Sequence, residues 1–197
     1  MPGAPSSMHG IDIHPLTADR WADLETLFGP RGASGGCWCM WWRQTRAEFE
    51  EKKGERNKRE FRTIVDAGQV PGLIAYVDGR PAGWCSVQPR DAFPRLDRSR
   101  TLKRFDEQPV WSVVCFFVAT RHRRQGLTTA LLQAAVRHAI AHGARIVEGY
   151  PVDPDEGRMP DPWVFTGLVS SFRKAGFVEA VRRSPARPLM RYVVKER

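Results

Sequence analysis

The spacing of apolar residues in the first third of the chain predicts a strand, a helix and a longer charged helix. Residues 11–16 alternate apolar and polar positions, which is the pattern of a strand with one buried face. Thr17 is an N-cap residue type, and after it apolar residues recur at helical spacing until Gly29 and Pro30 end the helix. Residues 46–67 are heavily charged with a sparse apolar face, which predicts one largely exposed helix.

The middle of the chain has the pattern of a hairpin followed by a buried strand. Residues 73–77 and 82–87 are apolar runs, and the turn between them contains Asp78 and Gly79, a dipeptide that is typical of tight hairpins. Residues 110–118 are mostly β-branched or aromatic and are apolar on both faces, so this strand should lie inside the sheet. The polar stretch before it predicts a loop or a broken helix.

The second half of the chain alternates helical and strand-like patterns. Apolar residues recur at helical spacing from Thr128 and stop at Gly143. The remaining elements are predicted as a strand over residues 145–150, a helix over residues 163–175, and strands over residues 177–181 and 189–194. The strand, helix and strand within residues 110–150 require a right-handed parallel crossover, whereas the other strand pairs look antiparallel. We therefore predict one α/β domain over residues 11–197 on a mixed, mostly antiparallel sheet flanked by about four helices.

Composition and charge favour a globular domain with anionic partners. Of the 197 residues, 42% are hydrophobic and 27% are charged, so the core needs neither disulfides nor a metal to hold it. The net charge is +9, and arginine, whose planar fork of donors suits phosphate and carboxylate, far outnumbers lysine. The same bias also fits a solvated surface. The basic residues are scattered along the chain, which disfavours nucleic acid as the partner.

The N-terminal residues and the cysteines indicate in which cellular compartment the protein is expected. Residues 1–10 are polar and rich in Pro, Ser and Gly, which predicts a disordered tail without the apolar segment of a secretory signal. No stretch approaches the roughly 20 apolar residues of a membrane span. We therefore expect a cytoplasmic protein without membrane contact, whose four cysteines are reduced.

The turn between the buried strand and the following helix has the character of a phosphate-binding site. A helix N-terminus offers unpaired N–H groups and a partial positive charge, and Gly126 lets the backbone approach a ligand closely. Arg123 and Arg124 add positive charge. The glycines are too sparse for a Walker loop or a dinucleotide-binding fingerprint.

This turn resembles the signature of the GNAT N-acetyltransferases. In that family an Arg or Gln, two residues, a Gly, any residue and then a Gly or Ala follow a strand that ends in Val. This chain has Val118, Arg123, Gly126 and Thr128 at those places. Thr128 departs from the small final residue, and its hydroxyl can cap the helix or contact phosphate.

The resemblance covers almost the whole chain, about residues 11–194. It includes the first strand and helix, the Asp78-Gly79 hairpin, and the segment Phe172-Arg173-Lys174-Ala175-Gly176-Phe177 near the end. It implies a GNAT-like sheet with a central parallel splay beside the strand 110–118. The turn in this order of elements is therefore a stronger signal than the turn alone.

The resemblance implies that acyl-CoA, most simply acetyl-CoA, is the co-substrate. Backbone groups of Phe116 and Val118 should pair with the pantetheine arm, and the amides that follow Arg123 should hold the pyrophosphate. The residues assigned to acyl-CoA in this way are Phe116, Phe117, Val118, Arg123, Arg124, Gln125, Gly126, Leu127, Thr128 and Thr166.

The acid and base that many relatives use are missing from the matching positions. Phe172 stands where relatives have a tyrosine that protonates the departing thiolate, and Ser112 where some have a glutamate base. Tyr150 as acid and Glu148 as base, at the end of the strand that flanks the splay, are the candidates, since α/β folds place their sites at such strand ends. The alternatives are that both are ordinary strand-end residues, that water serves, or that the protein binds acyl-CoA without efficient transfer.

Residues 37–43 concentrate tryptophan and cysteine. Trp38, Trp41 and Trp42 are predicted to form the wall of the acceptor pocket, because aromatic walls suit apolar or cationic acceptors, although a hydrophobic plug over the sheet explains them as well. Cys37 and Cys39 are spaced too tightly for the usual zinc site, so no metal is predicted. A cysteine nucleophile is disfavoured because no histidine is clearly placed to activate one.

The sequence therefore predicts an N-acyltransferase, an enzyme that transfers the acyl group of acyl-CoA directly to a primary amine of a small molecule or peptide. The alternative is a non-catalytic acyl-CoA binding or sensing module of the same fold. A nucleic-acid binder is a weaker third interpretation. The sequence leaves the acceptor, the acyl length and the oligomeric state open, and a homodimer is compatible with it.

Overall fold

The computed structural model describes residues 10–154 and 164–194, which form one seven-stranded sheet with helices on both faces. The strands are β1 (Ile11–Pro15), β2 (Gly72–Val77), β3 (Arg80–Pro89), β4 (Trp111–Val118), β5 (Ile146–Gly149), β6 (Val178–Arg182) and β7 (Pro188–Val193). The α-helices are α1 (Trp21–Phe28), α2 (Arg46–Lys52), α3 (Glu55–Asp66), α4 (Leu127–Ala141) and α5 (Val169–Lys174).

The strand order is β1-β2-β3-β4-β5-β7-β6, and every neighbouring pair is antiparallel except β4 and β5. The predicted mixed, mostly antiparallel sheet is confirmed. The parallel pairing of β4 and β5 ends where Val113 lies opposite Gly149, while β4 continues for five more residues to Val118. Beyond that point the Phe116 N–H donates to the carbonyl oxygen of Phe165 at 2.6 Å. The two strands therefore diverge at the centre of the sheet.

Each face of the sheet buries its own apolar core. On one face, Leu131 and Leu132 of α4 and Phe172 of α5 pack over the sheet and are fully buried. On the other face, α1 and α3 cover the sheet, with Phe61 and the β3 residue Trp84 fully buried. Both helix layers follow from the apolar periodicity of their sequences.

A β-bulge in β4 changes which side chains face which layer. Ser86 pairs with Cys115 and Val87 pairs with Val113, so Val114 is an extra residue on β4. A bulge of this kind breaks the strict alternation of a strand. Val113 accordingly packs in the α4 layer, whereas Cys115, two residues later, packs in the α1 layer.

The predicted single helix over residues 46–67 is wrong in one respect, because it is two helices. The helix is interrupted at Lys53 and Gly54. Gly54 has φ +83°, and its N–H donates to the Gly36 carbonyl at 3.0 Å. A left-handed glycine ends a helix readily because it has no Cβ. The sparse apolar face is where the pattern placed it, since Phe49 and Phe61 are buried.

The predicted helix over residues 163–175 begins later than expected. In the described part it starts at Val169, because Gly167 has φ +88° and Leu168 forms a parallel bridge with Val152. Residue 163 lies outside the described residues, and so do residues 1–9 of the tail that was predicted over residues 1–10. Across residues 10–154 and 164–194, no helix is both long and apolar enough to cross a membrane.

Candidate active site

A cavity of about 770 Å³ lies beside the part of β4 that has left β5. One side is formed by the turn before α4, and another by the end of β4. A third side is formed by aromatic side chains from α1, α2, the connection between them, and β3. Phe28, Trp41, Phe49 and Trp84 supply the aromatic side, which we call the aromatic end of the cavity. The divergence of the two central strands thus opens the cavity that the resemblance implies.

The turn leaves its backbone accessible to a ligand. Gly126 is the N-cap residue of α4 with φ +82°, and Arg124 also has a positive φ of 61°. Both residues are exposed, and a Cβ on Gly126 would meet no atom within 4 Å. Because a glycine N-cap has no side chain, the first N–H groups of α4 are left for a ligand. The partial positive charge of the helix N-terminus then favours an anion at this turn.

Most residues that the sequence assigned to acyl-CoA lie on the wall of this cavity. Those that line it are Phe116, Phe117, Val118, Arg123, Arg124, Gly126, Leu127 and Thr128. Gln125 and Thr166 are not among the lining residues. The Gln125 amide donates to the carbonyl of Arg121 at 3.0 Å, and buried Thr166 accepts a hydrogen bond from Arg187 at 3.0 Å.

Two backbone groups expected to meet pantetheine already have partners. The Phe116 N–H donates to Phe165, as described above, and the Val118 carbonyl accepts a hydrogen bond from Arg123 Nε at 3.0 Å. Alternation along a strand directs the N–H of Val118 to the same side as that of Phe116. A ligand that pairs with this edge therefore has to share or displace the segment around Phe165.

Glu148 and Tyr150 lie in a closed ionic cluster rather than on the cavity wall. Tyr150 is 0% exposed and Glu148 is 1% exposed. Arg90 Nη1 donates to Glu148 Oε1 at 2.9 Å and to the Tyr150 hydroxyl at 2.7 Å, and Arg191 Nε donates to Glu148 Oε2 at 2.8 Å. The Tyr150 hydroxyl also lies 2.8 Å from Ser112 Oγ. Burial, reinforced by Glu148, raises the pKa of Tyr150 well above its ordinary value.

This cluster is suited to holding the two central strands together. Glu148 sits opposite Ser112 in the last part of the β4–β5 pairing. A buried carboxylate is tolerated only when it is paired, and here two guanidinium groups pair with it. The cluster lies next to the point from which β4 and β5 diverge.

The three predicted acceptor-wall tryptophans have different environments. Trp41 lines the cavity, with Phe49 edge-on at 5.0 Å and the Arg95 guanidinium 3.4 Å from its ring centre. Trp38 is buried in the α1 layer and stacks on Trp21 at 6.2 Å. Trp42 is buried in an apolar cluster that is separate from the cores on the two faces of the sheet, and it is not among the cavity-lining residues.

The four cysteines are free thiols that do not share one site. Cys37, Cys39 and Cys115 line the cavity, whereas Cys85 packs under α4 on the opposite face of the sheet. The part of the chain that the structure describes holds no group of three or more His, Cys, Asp or Glu residues able to bind a metal ion.

Phe172, which the resemblance matches to the tyrosine of many relatives, is fully buried. Its ring fills the space in which a Cβ on Gly149 or Gly167 would lie, and it packs edge-on against Phe116 at 6.2 Å. Phe172 therefore packs against the cavity wall without lining the cavity, and its phenyl ring cannot donate a proton.

Sequence reasoning missed several wall residues. Phe28 and Trp84 were interpreted only as members of a helix stripe and a strand, and Phe49 only as part of a sparse apolar face. Cys115 lies in the apolar run 110–118, where nothing in the pattern indicates a cavity. Hydrophobic periodicity shows that such residues face the interior, but it does not show that they line a cavity there.

Comparisons with known proteins agree with this fold. The family model described as "Acetyltransferase (GNAT) family" matches residues 37–156. A GNAT-family acetyltransferase from Streptococcus agalactiae superposes with a TM-score of 0.55 at 12% identity, covering 96% of this chain and 98% of that one. The PaiA N-acetyltransferase from Thermoplasma acidophilum, in complex with coenzyme A, superposes with a TM-score of 0.52 at 13% identity, covering 94% and 99%.

An aminoglycoside N-acetyltransferase in complex with CoA has a TM-score of 0.53 at 18% identity, covering 89% of this chain and 92% of that one. No curated protein sequence matches the chain. At these identities the solved structures show a shared fold and leave the acceptor unassigned.

Proposed function

The chain belongs to the acetyltransferase (GNAT) family, and on that premise we propose that it transfers the acyl group of acyl-CoA, in the first place acetyl-CoA, directly to a primary amine. The observation that carries this proposal is the single cavity that joins the anion-binding turn to the aromatic end along β4. A donor held at the turn and an acceptor held at the aromatic end would meet in that cavity.

The fit to the CoA pyrophosphate rests on the turn. Gly126 and Arg124 turn the backbone through left-handed conformations, and the N-terminus of the 15-residue helix α4 follows. Successive amides at a helix start bind anions without help from side chains. Arg124 is exposed beside them and adds charge. That PaiA and the aminoglycoside enzyme are described in complex with coenzyme A supports the same assignment.

The acceptor that suits this cavity is an amine attached to an apolar or aromatic body. Trp41 is only partly buried and offers apolar ring surface, and the buried rings of Phe28, Phe49 and Trp84 complete the apolar wall. A ring face also attracts an ammonium group, which would hold the acceptor until it loses a proton. Transfer then consists of attack by the neutral amine on the thioester carbonyl and departure of the CoA thiolate.

For Glu148 and Tyr150 we propose a structural role in place of the catalytic one. Both are buried in a closed cluster with Arg90 and Arg191, and neither is among the residues lining the cavity. A proton carrier needs to reach the reacting atoms directly or through one water.

A non-catalytic acyl-CoA binding module is the second candidate function. The observation in its favour is the pair Phe172 and Ser112 at the positions where relatives have an acid and a base. Both are fully buried, so neither is a substitute proton carrier at the cavity.

Calorimetry and product analysis separate the two functions. Acetyl-CoA should bind, and mixing the protein with acetyl-CoA and an arylalkylamine such as phenethylamine should yield the N-acetyl amide. Binding without amide formation across a panel of amines would favour the module. Absence of binding would contradict both.

A further inference from the structure

Residues 164–168, which we call the gap segment, lie between β4 and the chain that continues from β5. On one side, the N–H of Val152 donates to the carbonyl oxygen of Gly167 at 2.8 Å, and the two stretches run parallel. On the other side, the carbonyl oxygen of Phe165 accepts the hydrogen bond from the Phe116 N–H on β4. The gap segment therefore spans the space that the divergence of the two central strands creates.

The bond to β4 uses a donor that the divergence would otherwise leave without a partner. Phe116 lies beyond the last residue of β4 that pairs with β5, and it is 7% exposed. A buried backbone N–H without a partner costs free energy, and the Phe165 carbonyl oxygen, 2.6 Å from this nitrogen, removes that cost. The resemblance assigns backbone groups of Phe116 to the pantetheine arm of acyl-CoA. The gap segment and acyl-CoA would therefore use the same donor.

A side-chain hydrogen bond holds the gap segment in place. Thr166 is fully buried, and its Oγ1 accepts a hydrogen bond from Nη1 of Arg187 at 3.0 Å. Arg187 lies in the connection between β6 and β7, and among the described residues its guanidinium has no other hydrogen-bond partner. Neither residue is among those that line the cavity. This bond can therefore be removed without changing a side chain of the cavity wall.

The gap segment also forms part of the cavity wall. Its residues that line the cavity are Val164, Phe165, Gly167 and Leu168. The Phe165 ring packs against Trp42, with 6.2 Å between the ring centres. A movement of the gap segment would therefore change the shape of the cavity and at the same time uncover the edge of β4.

We propose that the gap segment is an autoinhibitory element that competes with acyl-CoA for the edge of β4, and that the hydrogen bond between Thr166 and Arg187 holds it there. The proposal rests on the proposed function. In the closed state, which is the state of this structure, the Phe165 carbonyl occupies the Phe116 N–H. In the open state the gap segment has left this edge, and the pantetheine arm takes its place. Acyl-CoA therefore shifts the protein from the closed to the open state.

This competition fixes the sign of a mutational effect. The measured Kd for acyl-CoA equals the Kd of the open state divided by the fraction of the protein that is open. Removal of the bond between Thr166 and Arg187 raises that fraction, so it should tighten binding. Loss of the Arg187 charge by itself would weaken the binding of an anionic ligand. Tighter binding in a variant without Arg187 is therefore specific to the release of the gap segment.

Calorimetry with acetyl-CoA tests the proposal in Thr166→Val, Arg187→Met and the double variant. Each single variant should lower the Kd roughly tenfold, the equivalent of one hydrogen bond. The double variant should lower it no further, because both changes remove the same bond. Arg183→Met is the matched control, since Arg183 lies in the same connection but donates to the carbonyl groups of residues 101, 103 and 104. This control should not tighten binding.

A second measurement requires no acyl-CoA. Native-state hydrogen exchange of the Phe116 amide reports how often the gap segment leaves β4. In the wild type this exchange should be nearly independent of low concentrations of urea, as expected for a local opening that exposes little surface. In Thr166→Val the exchange should be faster by the same factor by which the Kd for acetyl-CoA is lower.

Three outcomes overturn the proposal, and they differ in what survives. If the wild type binds acetyl-CoA and Thr166→Val and Arg187→Met bind it equally or more weakly, the competition fails and the proposed function stands. If the Phe116 amide exchanges only with the urea dependence of global unfolding, the open state does not exist and the competition fails as well. If neither the wild type nor any variant binds acetyl-CoA, the proposed function fails and the competition fails with it.

Discussion

Replacement of Gly126 with aspartate or asparagine tests the anion-binding turn by charge alone. Gly126 has φ +82° and open space where a Cβ would be, so either side chain fits without a clash. Asp and Asn both tolerate left-handed backbone and have nearly the same size, so the backbone strain, roughly 1 kcal/mol, is shared. What differs is one negative charge at the N-terminus of α4.

The expected magnitude follows from Coulomb's law. Two unit charges about 4 Å apart repel by about 1 kcal/mol in water and about 4 kcal/mol at an effective dielectric constant of about 20. Because Gly126 is exposed, we take the repulsion between the new carboxylate and the pyrophosphate to be about 2 kcal/mol. This energy corresponds to a Kd for acetyl-CoA that is roughly 30-fold higher in Gly126→Asp than in Gly126→Asn.

Isothermal titration calorimetry at low salt measures this difference, and thermal melting shows whether both variants fold equally well. The difference in Kd between the two variants should decrease as salt is added, because the turn is open to solvent. Equal affinity of two equally folded variants would refute the assignment of the pyrophosphate to this turn.

Four further predictions concern the aromatic end, the ionic cluster and metal content. Trp41→Ala should raise the KM for phenethylamine roughly tenfold and leave the Kd for acetyl-CoA nearly unchanged, since ring contacts supply about 1 kcal/mol or more; equal losses for both ligands would contradict an acceptor role. Glu148→Ala should lower the free energy of unfolding in urea by about 1–3 kcal/mol, because Arg90 and Arg191 lose a buried partner while each keeps an aspartate, Asp97 or Asp106. Tyr150→Phe should cost about 1–3 kcal/mol in the same assay and change kcat only slightly, whereas a loss of 10²-fold would restore Tyr150 as the acid. Elemental analysis should find no stoichiometric zinc, and a chelator should not lower the melting temperature; one zinc per chain would contradict this.

Elements with strong local signals could be predicted from the sequence. The Asp78-Gly79 turn, the helix stripe of α4 and the apolar run of β4 depend on neighbours within a few residues, and all three are where the pattern places them. The break at Gly54 had a local signal as well, but the charged periodicity on both sides of it suggested one helix. Its left-handed conformation is held by Gly36, which is 18 residues away in sequence.

The site depended on features that no local pattern contains. β4 is apolar on both faces, so alternation could not show the bulge that turns Cys115 towards the cavity. Arg90 lies in a polar stretch that predicted a loop, yet it is buried by its contact with Glu148, 58 residues away. The environments of Cys39 and Tyr150 could not be predicted from the sequence either, because each is formed by residues of other elements.

The measurement that tests the central claim most directly is the amount of N-acetyl amide formed from acetyl-CoA and a panel of arylalkylamines, quantified by mass spectrometry beside the free CoA released. The cavity that joins turn and aromatic end predicts amide and CoA in equal amounts with the wild-type chain, and far less of both with Gly126→Asp. Tight binding of acetyl-CoA with no amide from any amine would contradict acyl transfer.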